Sequence, residues 1–298
     1  MNRITQTSSS RAMMSNLMNA NRAMVRAQER LSSQKELSRA SDGPARALAA
    51  LDHRAALRRS EQFQRNASDA RGWMVAGDTA LTASVSEMTH ARTLIISAVS
   101  GASDPNSLKA IAAEIRTVRE SMLQLANADH LGRPIFSGNA NTTQAFDSAG
   151  NYLGDAGTVF RPVAPSVNLQ VNRNGEDVFG TTNATAMDGN VFQMLEAIAQ
   201  AVESGDTSAM AIGIERLDVA VDRIETAQVE LGARARQVED VMARNEISDI
   251  DRRTALSEAE DVDVAQALIE QRAKEFSYQA ALSASAKVLQ TSLLDFLR

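Results

Sequence analysis

The sequence contains no cysteine, only three histidines (His53, His90 and His130), five prolines, and few aromatics: 4% of 298 residues, with one Trp and two Tyr. The missing thiols exclude disulfides, Cys-ligated zinc, iron–sulfur clusters and thiol nucleophiles together. Three scattered histidines without a G-x-S-x-G motif leave little material for metal ligation or for Ser-His catalysis. A run of ~18 apolar residues is absent throughout, and the first residues lack the ~7–15-residue apolar centre of a Sec leader. No membrane insertion, Sec-type export, catalytic residue or cofactor is therefore expected.

What the chain does have is 44% hydrophobic residues, drawn mainly from Ala, Leu, Val, Ile and 12 Met, a composition suited to helices. The formal net charge of -6 is unevenly spread. Eleven Lys and Arg against Glu29, Glu36, Asp42 and Asp52 give +7 over the first 60 residues, which leaves -13 for the rest. The early arginines are dispersed at helical intervals among Met, Leu and Ala, with no aromatic beside them for base stacking, so they read as a solvated helix face and not as a nucleic-acid site.

All prolines lie between Pro44 and Pro165, and eight of the 15 glycines fall between Gly132 and Gly189, so the middle is the irregular part. Both flanks alternate apolar steps of three and four. Met74, Leu81, Met88 and Ile95 recur every seven, with Val85 and Val99 as companions. Leu108, Ile111, Ile115, Val118, Met122 and Leu125 continue the rule. So do Ile214, Leu217, Val221 and Ile224, then Gln228, Leu231, Ala235, Val238 and Met242. Such narrow stripes are coiled-coil seams. Gly101 to Pro105 breaks one helix and opens the next, with Asp104 as cap. In the middle, Pro134–Phe136, Thr158–Phe160, Val167–Val171 and Asp177–Phe179 are strand-prone, and Asn174-Gly175 predicts a hairpin turn.

Three remaining motifs carry no chemistry. Asp261 and Asp263 form D-x-D without the glycine or the twelfth-position glutamate of a calcium loop. Gly150 to Gly157 lacks the Gly-Lys-Ser/Thr ending of a phosphate loop, and reads as turns. Three Asn-x-Ser/Thr triplets, at Asn66, Asn141 and Asn183, read as chance.

The two ends behave as a pair. Leu17, Met24 and Leu31 step by seven beside Met14, Met18 and Val25; Leu282, Leu289 and Phe296 do the same beside Ala286 and Leu293. One apolar stripe per helix is too little to hold either end in place alone, so these residues are expected to form a subunit interface, loose in a monomer and ordered when copies meet.

The segment LSSQKELSRASDGP at residues 31–44 resembles the N-terminal block of the bacterial flagellin superfamily. DVDVAQA at 261–267 and YQAALSASAKVLQTSLLDFL at 278–297 resemble its C-terminal block. Within it, LGRPIFSG at 131–138, Phe146-Asp147 and NGEDVFG at 174–180 are similar to the hook-associated protein 3 family. The resemblance implies a mainly α, elongated coiled-coil-like bundle built from both ends of the chain, with a small antiparallel β insertion. Residues 1–40 and 262–298 would form an inner core domain and 41–131 and 187–261 the helical bundle; the strand-prone pieces place the insertion at 132–186, an outer lobe whose removal is expected to leave the bundle folded because no seam position lies in it. The resemblance also implies a structural subunit joining the hook region to the filament, secreted through the flagellar type III channel to the extracellular flagellum. The implied partners are the first hook-associated protein, flagellin, copies of itself in a ring, and an export chaperone at the C-terminal helix. Flagellin or another self-polymerising axial protein is the alternative.

Overall fold

The computed structural model describes residues 2–36, 39, 41, 43–101, 104–182 and 185–296; the side chains at 2–7, 9, 10, 101 and 288–296 lie outside that description. The described chain is mainly helical: α1 (Asn2–Ser33), α2 (Pro44–Gly101), α3 (Pro105–Ala126), α4 (Gly175–Phe179), α5 (Val191–Ser204), α6 (Thr207–Glu260) and α7 (Val264–Phe296). Two two-stranded antiparallel sheets lie between α3 and α4: β1 (Asp129–His130) with β2 (Arg133–Pro134), and β3 (Phe160–Ala164) with β4 (Val167–Gln170). The chain divides into two compact units, Met1–Arg59 with Ser248–Arg298, and Ser60–Ile247, the boundary falling inside α2 and α6.

Within residues 60–247, α2 and α6 run antiparallel. Gln228 donates from Nε2 to Thr82 Oγ1 at 2.8 Å and to Asp78 Oδ1 at 3.2 Å, and Arg92 pairs with Asp218 at 3.0 Å. The large seam residues fall where their spacing puts them, since Met74, Leu81, Met88, Ile95, Leu217, Ile224 and Val238 are all buried. Their companions differ from the sequence reading. Val99 is 48% exposed and Val85 is half-buried, whereas Ala70, Gly77, Ser84, Ala91 and Ala98 are buried three residues after or four before the large ones. On α6 the buried companions are Gly213, Ala220 and Ala227; Ile214 and Val221 lie at the edge of the core. Small residues between large ones let the helix backbones approach, so each large side chain fills the hollow left opposite. A Cβ added at Gly77 would stand 2.8 Å from Leu231 Cδ2, and one at Gly213 would stand 2.8 Å from Ile198 Cγ1.

Local signals set the connections. Asp104 is the N-cap of α3 with Pro105 in its first turn. Asn190 caps α5, its side chain accepting from the amides of Phe192 and Gln193, and Gly205 closes that helix at φ +73°, the left-handed C-terminal stop. Asp206 then accepts from the amides of Ser208 and Ala209 to start α6.

The central segment corrects two expectations. Asn174-Gly175 is not a hairpin turn. Asn174 is extended at the N-cap of α4, with Glu176 and Asp177 in the first turn, where carboxylates complement the helix dipole. Glycine is required at 175 by close approach, for a Cβ there would lie 2.7 Å from the Phe146 ring and 2.8 Å from Tyr152. Asp177–Phe179 is accordingly helical and not a strand. The β3–β4 turn is made instead by Pro165-Ser166, with Ser166 at φ +62°, the proline-first, positive-φ-second arrangement of a type II turn.

Nor is this segment an appended lobe. Phe146 lies 4.9 Å from Phe192 of α5, 5.7 Å from Phe179 and 5.2 Å from Tyr152, and Phe136 stands edge-on to Phe179 at 5.3 Å. All four phenylalanines are buried in one core with the helix seams. Helix side chains satisfy the backbone of the segment. Asn127 accepts from the amides of Ala145 and Phe146, Arg119 donates to the carbonyls of Phe192, Ser148 and Ala149, and Arg223 and Arg234 donate to those of Val178 and Asn172. A segment this short of regular strands pairs only part of its own backbone, and the bundle supplies further partners.

Candidate assembly surfaces

In the unit formed by the two ends, α1 packs against α7. The less exposed positions of α1 include Met13, Leu17, Ala20, Met24, Ala27 and Leu31, in alternating steps of four and three. Those of α7 include Ala267, Gln271, Lys274, Tyr278, Ala281 and Ser285. Only Ala27 and Ala267 are fully buried among them. A stripe of Met, Leu and Ala thus meets one that is mostly small and polar, while Val264, Leu268, Ile269, Phe276 and Leu282 of α7 are exposed.

The base of the pair is fixed by polar contacts. Arg30 reaches Glu270 at 3.0 Å. Gln34 takes φ +56°, which turns the chain so that Lys35 bridges Asp261, the Glu36 amide donates to the Glu260 carbonyl and the Val262 amide to that of Gln34. The buried Glu260 carboxylate is held by Lys35 and by Arg54, each at 2.7 Å. Burial opposes its ionisation, but the hydrogen bonds and charges of those two cations outweigh burial and hold its carboxyl below the ordinary glutamate value. These contacts set the register of the terminal helices.

The residues expected at a subunit interface divide accordingly. Leu17, Met24 and Leu31 are half-buried. Met14, Met18, Val25 and Leu282 are 55%, 52%, 42% and 42% exposed. Leu289, Leu293 and Phe296 lie outside the described side chains. The sequence reading missed Ile269 and Phe276, which are 71% and 73% exposed. They stand seven apart, a spacing that could have found them, but the step continues to the polar Ser283 and Gln290, which hides the stripe.

Groups with catalytic potential are absorbed structurally. Asp263 caps α7 by accepting from the amides of Ala265 and Gln266, and Asp261 accepts from the Ser257 hydroxyl, which accounts for the D-x-D. His90 faces Glu114 on the surface, and His130 lies 3.4 Å from Asp69 with its ring against Trp73. Burial pushes the Tyr152 hydroxyl up to about 12, and it donates to the Phe136 and Asp155 carbonyls. Among the described residues, no group of three His, Cys, Asp or Glu is arranged to hold a metal, and no helix is long and apolar enough to cross a membrane.

Residues 4–141 match the bacterial flagellin N-terminal helical region. The chain is 24% identical over 276 residues to flagellar hook-associated protein 3 of Escherichia coli (strain K12), covering 85% of this chain and 87% of that one. A putative flagellar hook-associated protein from Vibrio parahaemolyticus shares the fold at a TM-score of 0.67 and 16% identity, over 74% of this chain and 100% of that one. The flagellar junction protein of Legionella pneumophila does so at 0.57 and 16%, over 71% and 99%. These relatives are named as hook-associated or junction proteins of the flagellum. The chain thus resembles the flagellin N-terminal helical region over residues 4–141 and is similar to flagellar hook-associated protein 3 sequences along most of its length.

Proposed function

We propose that this chain is a subunit of the junction between the hook-associated region and the filament of a bacterial flagellum, exported unfolded through the flagellar type III channel and assembled outside the cell as a ring of copies. The first hook-associated protein lies on one side of the ring and flagellin on the other, and an export chaperone covers the C-terminal helix before export. Residues 1–40 and 262–298 supply the inner contacts between copies, through Met14, Leu17, Met18, Met24, Val25, Leu31, Leu282, Leu289, Leu293 and Phe296; 41–131 and 187–261 form the bundle. One observation carries this reading. Helix α7 turns mostly small and polar residues toward α1, and the pair leaves Met14, Met18, Ile269, Phe276 and Leu282 in solvent. Exposed apolar side chains on paired helices weigh against a finished monomer surface and favour packing on another chain. A chain without cysteine also passes an export channel and refolds without disulfide errors.

Leu282→Asp tests the reading. In the monomer the new charge meets water, so melting should shift by no more than about 0.5 kcal/mol, as for an ordinary surface change. In the assembled ring it is desolvated without a partner at a cost of roughly 3–5 kcal/mol, and junctions should fail while the protein is still secreted. Comparing monomer melting with filament retention in a strain carrying only the variant checks this. A markedly earlier melt, or normal filaments, would count against it.

A further inference from the structure

The β1–β2 hairpin, residues 129–134, is closed by Leu131 at φ +53° and Gly132 at φ +78°. Positive φ at both central residues is the type I′ turn, whose first position favours Asn, Asp or Gly because a branched side chain is strained there. Leu131 is also 85% exposed. The leucine gains neither from its backbone nor from burial, and an outlier of that kind on a surface marks a side chain used elsewhere.

A second surface of the same unit matches it. On α6, Ile212, Glu215, Val219, Asp222, Thr226 and Val229 follow the three-four rule along one exposed stripe, with Ile212, Val219 and Val229 at 47%, 58% and 69% exposure. No cation lies within ion-pair distance of Glu215, Asp222 or the neighbouring Glu225 among the described residues; the nearby Asp218 is taken by Arg92, and Arg216 by Asp188. The stripe is acidic and apolar. The surroundings of Leu131 are basic and apolar. Arg133 follows it with its guanidinium over the Trp73 ring at 5.8 Å, and exposed Arg71 adjoins Gly72, against which His130 packs. The carboxylates on that side are engaged, Asp69 by Arg161 and His130, and Asp129 by the Gly132 amide.

We propose that the Leu131 hairpin of one copy docks on the Ile212–Val229 stripe of a second copy, Leu131 seating among the apolar residues while Arg71 and Arg133 face Glu215, Asp222 and Glu225. The contact is heterologous, two different patches meeting head to tail, which closes into a ring when its rotation closes and otherwise continues as an open helix. It rests on the reading of this chain as a ring-forming subunit, and adds a lateral contact made by the bundle, separate from the terminal helices.

The absence of cysteine makes the test direct. Leu131→Cys and Val219→Cys are placed on separate copies, co-expressed, and the isolated flagella are treated with a short bismaleimide; Met18→Cys with Leu282→Cys, likewise on separate copies, reports contact through the terminal helices. A covalent dimer of this chain from the Leu131–Val219 pair is expected. Dimers from the terminal pair alone would overturn the lateral contact and leave the ring standing, adducts of Leu131→Cys with a different protein would show that the hairpin has another occupant, and no dimer from either pair would overturn the ring itself. Leu131→Asn supplies an independent reading with opposite signs. The monomer should melt no earlier than the parent, because Asn tolerates the left-handed backbone, while filament retention under shear falls about tenfold, as for loss of one anchoring side chain. Unchanged retention would also overturn the proposal.

Discussion

Excising residues 140–184, with a Gly-Ser bridge from Asn139 to Thr185, is expected to unfold the 60–247 unit instead of trimming it. The cut removes Phe146 and Phe179, whose rings stand 4.9 and 5.9 Å from Phe192 of α5, and leaves that ring facing a void. It also strips partners from Asn127, Arg119, Arg223 and Arg234. Burial already pushes the Arg223 guanidinium downward from its ordinary value, so losing the Val178 carbonyl leaves a half-buried charge unsatisfied, a costly condition. The single change Phe146→Ala isolates the apolar part. A fully buried Phe in a tight cluster costs about 3–5 kcal/mol when truncated, a large share of the ~5–15 kcal/mol that holds a domain together. Urea unfolding followed by circular dichroism should show the lowered midpoint. A Phe146→Ala midpoint equal to that of the parent, with full helicity in the excised chain, would return the segment to the status of an independent lobe.

A comparison of Ala91→Asp with Val99→Asp should separate the true seam of α2 from its apparent one. Ala91 is fully buried and Val99 is 48% exposed. An unpartnered carboxylate at 91 would cost roughly 3–5 kcal/mol, or force the helices apart, whereas at 99 it changes stability by no more than about 0.5 kcal/mol. Read by hydrophobicity alone, the order is reversed, because valine looks like the core residue and alanine like filler. Thermal melts of the two variants decide between these registers, and a larger loss for Val99→Asp would contradict the one described.

That reversal shows what could be read from the chain and what could not. The sevenfold repeat of Met74, Leu81, Met88 and Ile95 locates the seam because large apolar side chains are seldom left in water at such regular intervals. Ala70, Gly77 and Ala98 stand out in no stripe of large apolar residues, yet all three are buried, and Gly77 lets Leu231 of α6 come close. The Asn174-Gly175 pair misled for a related reason. Its glycine answers to the Phe146 and Tyr152 rings, a demand made by residues far away in sequence, while Pro165-Ser166 turns the chain without any glycine. The sevenfold spacing of Leu17, Met24 and Leu31 was legible as one face of α1, and those three side chains are half-buried. What sequence could not show is that α7 offers α1 the polar stripe through Gln271 and Lys274, leaving Ile269 and Phe276 outside, because a helix with apolar residues on several faces does not declare which one its partner takes.

The proposed assembly requires terminal helices held weakly within one chain and strongly between chains. Hydrogen exchange on the purified monomer and on assembled flagella tests it most directly. In the monomer, residues 11–33 and 264–287 should exchange orders of magnitude faster than the seams at 67–98 and 213–241, because the first pair buries little beyond Ala27 and Ala267 and the second buries a continuous core. On assembly the terminal segments should become as protected as the seams. Equal protection of ends and seams in the monomer, unchanged by assembly, would show that the α1–α7 pair is a finished structure and that the apolar residues it leaves in water await no partner.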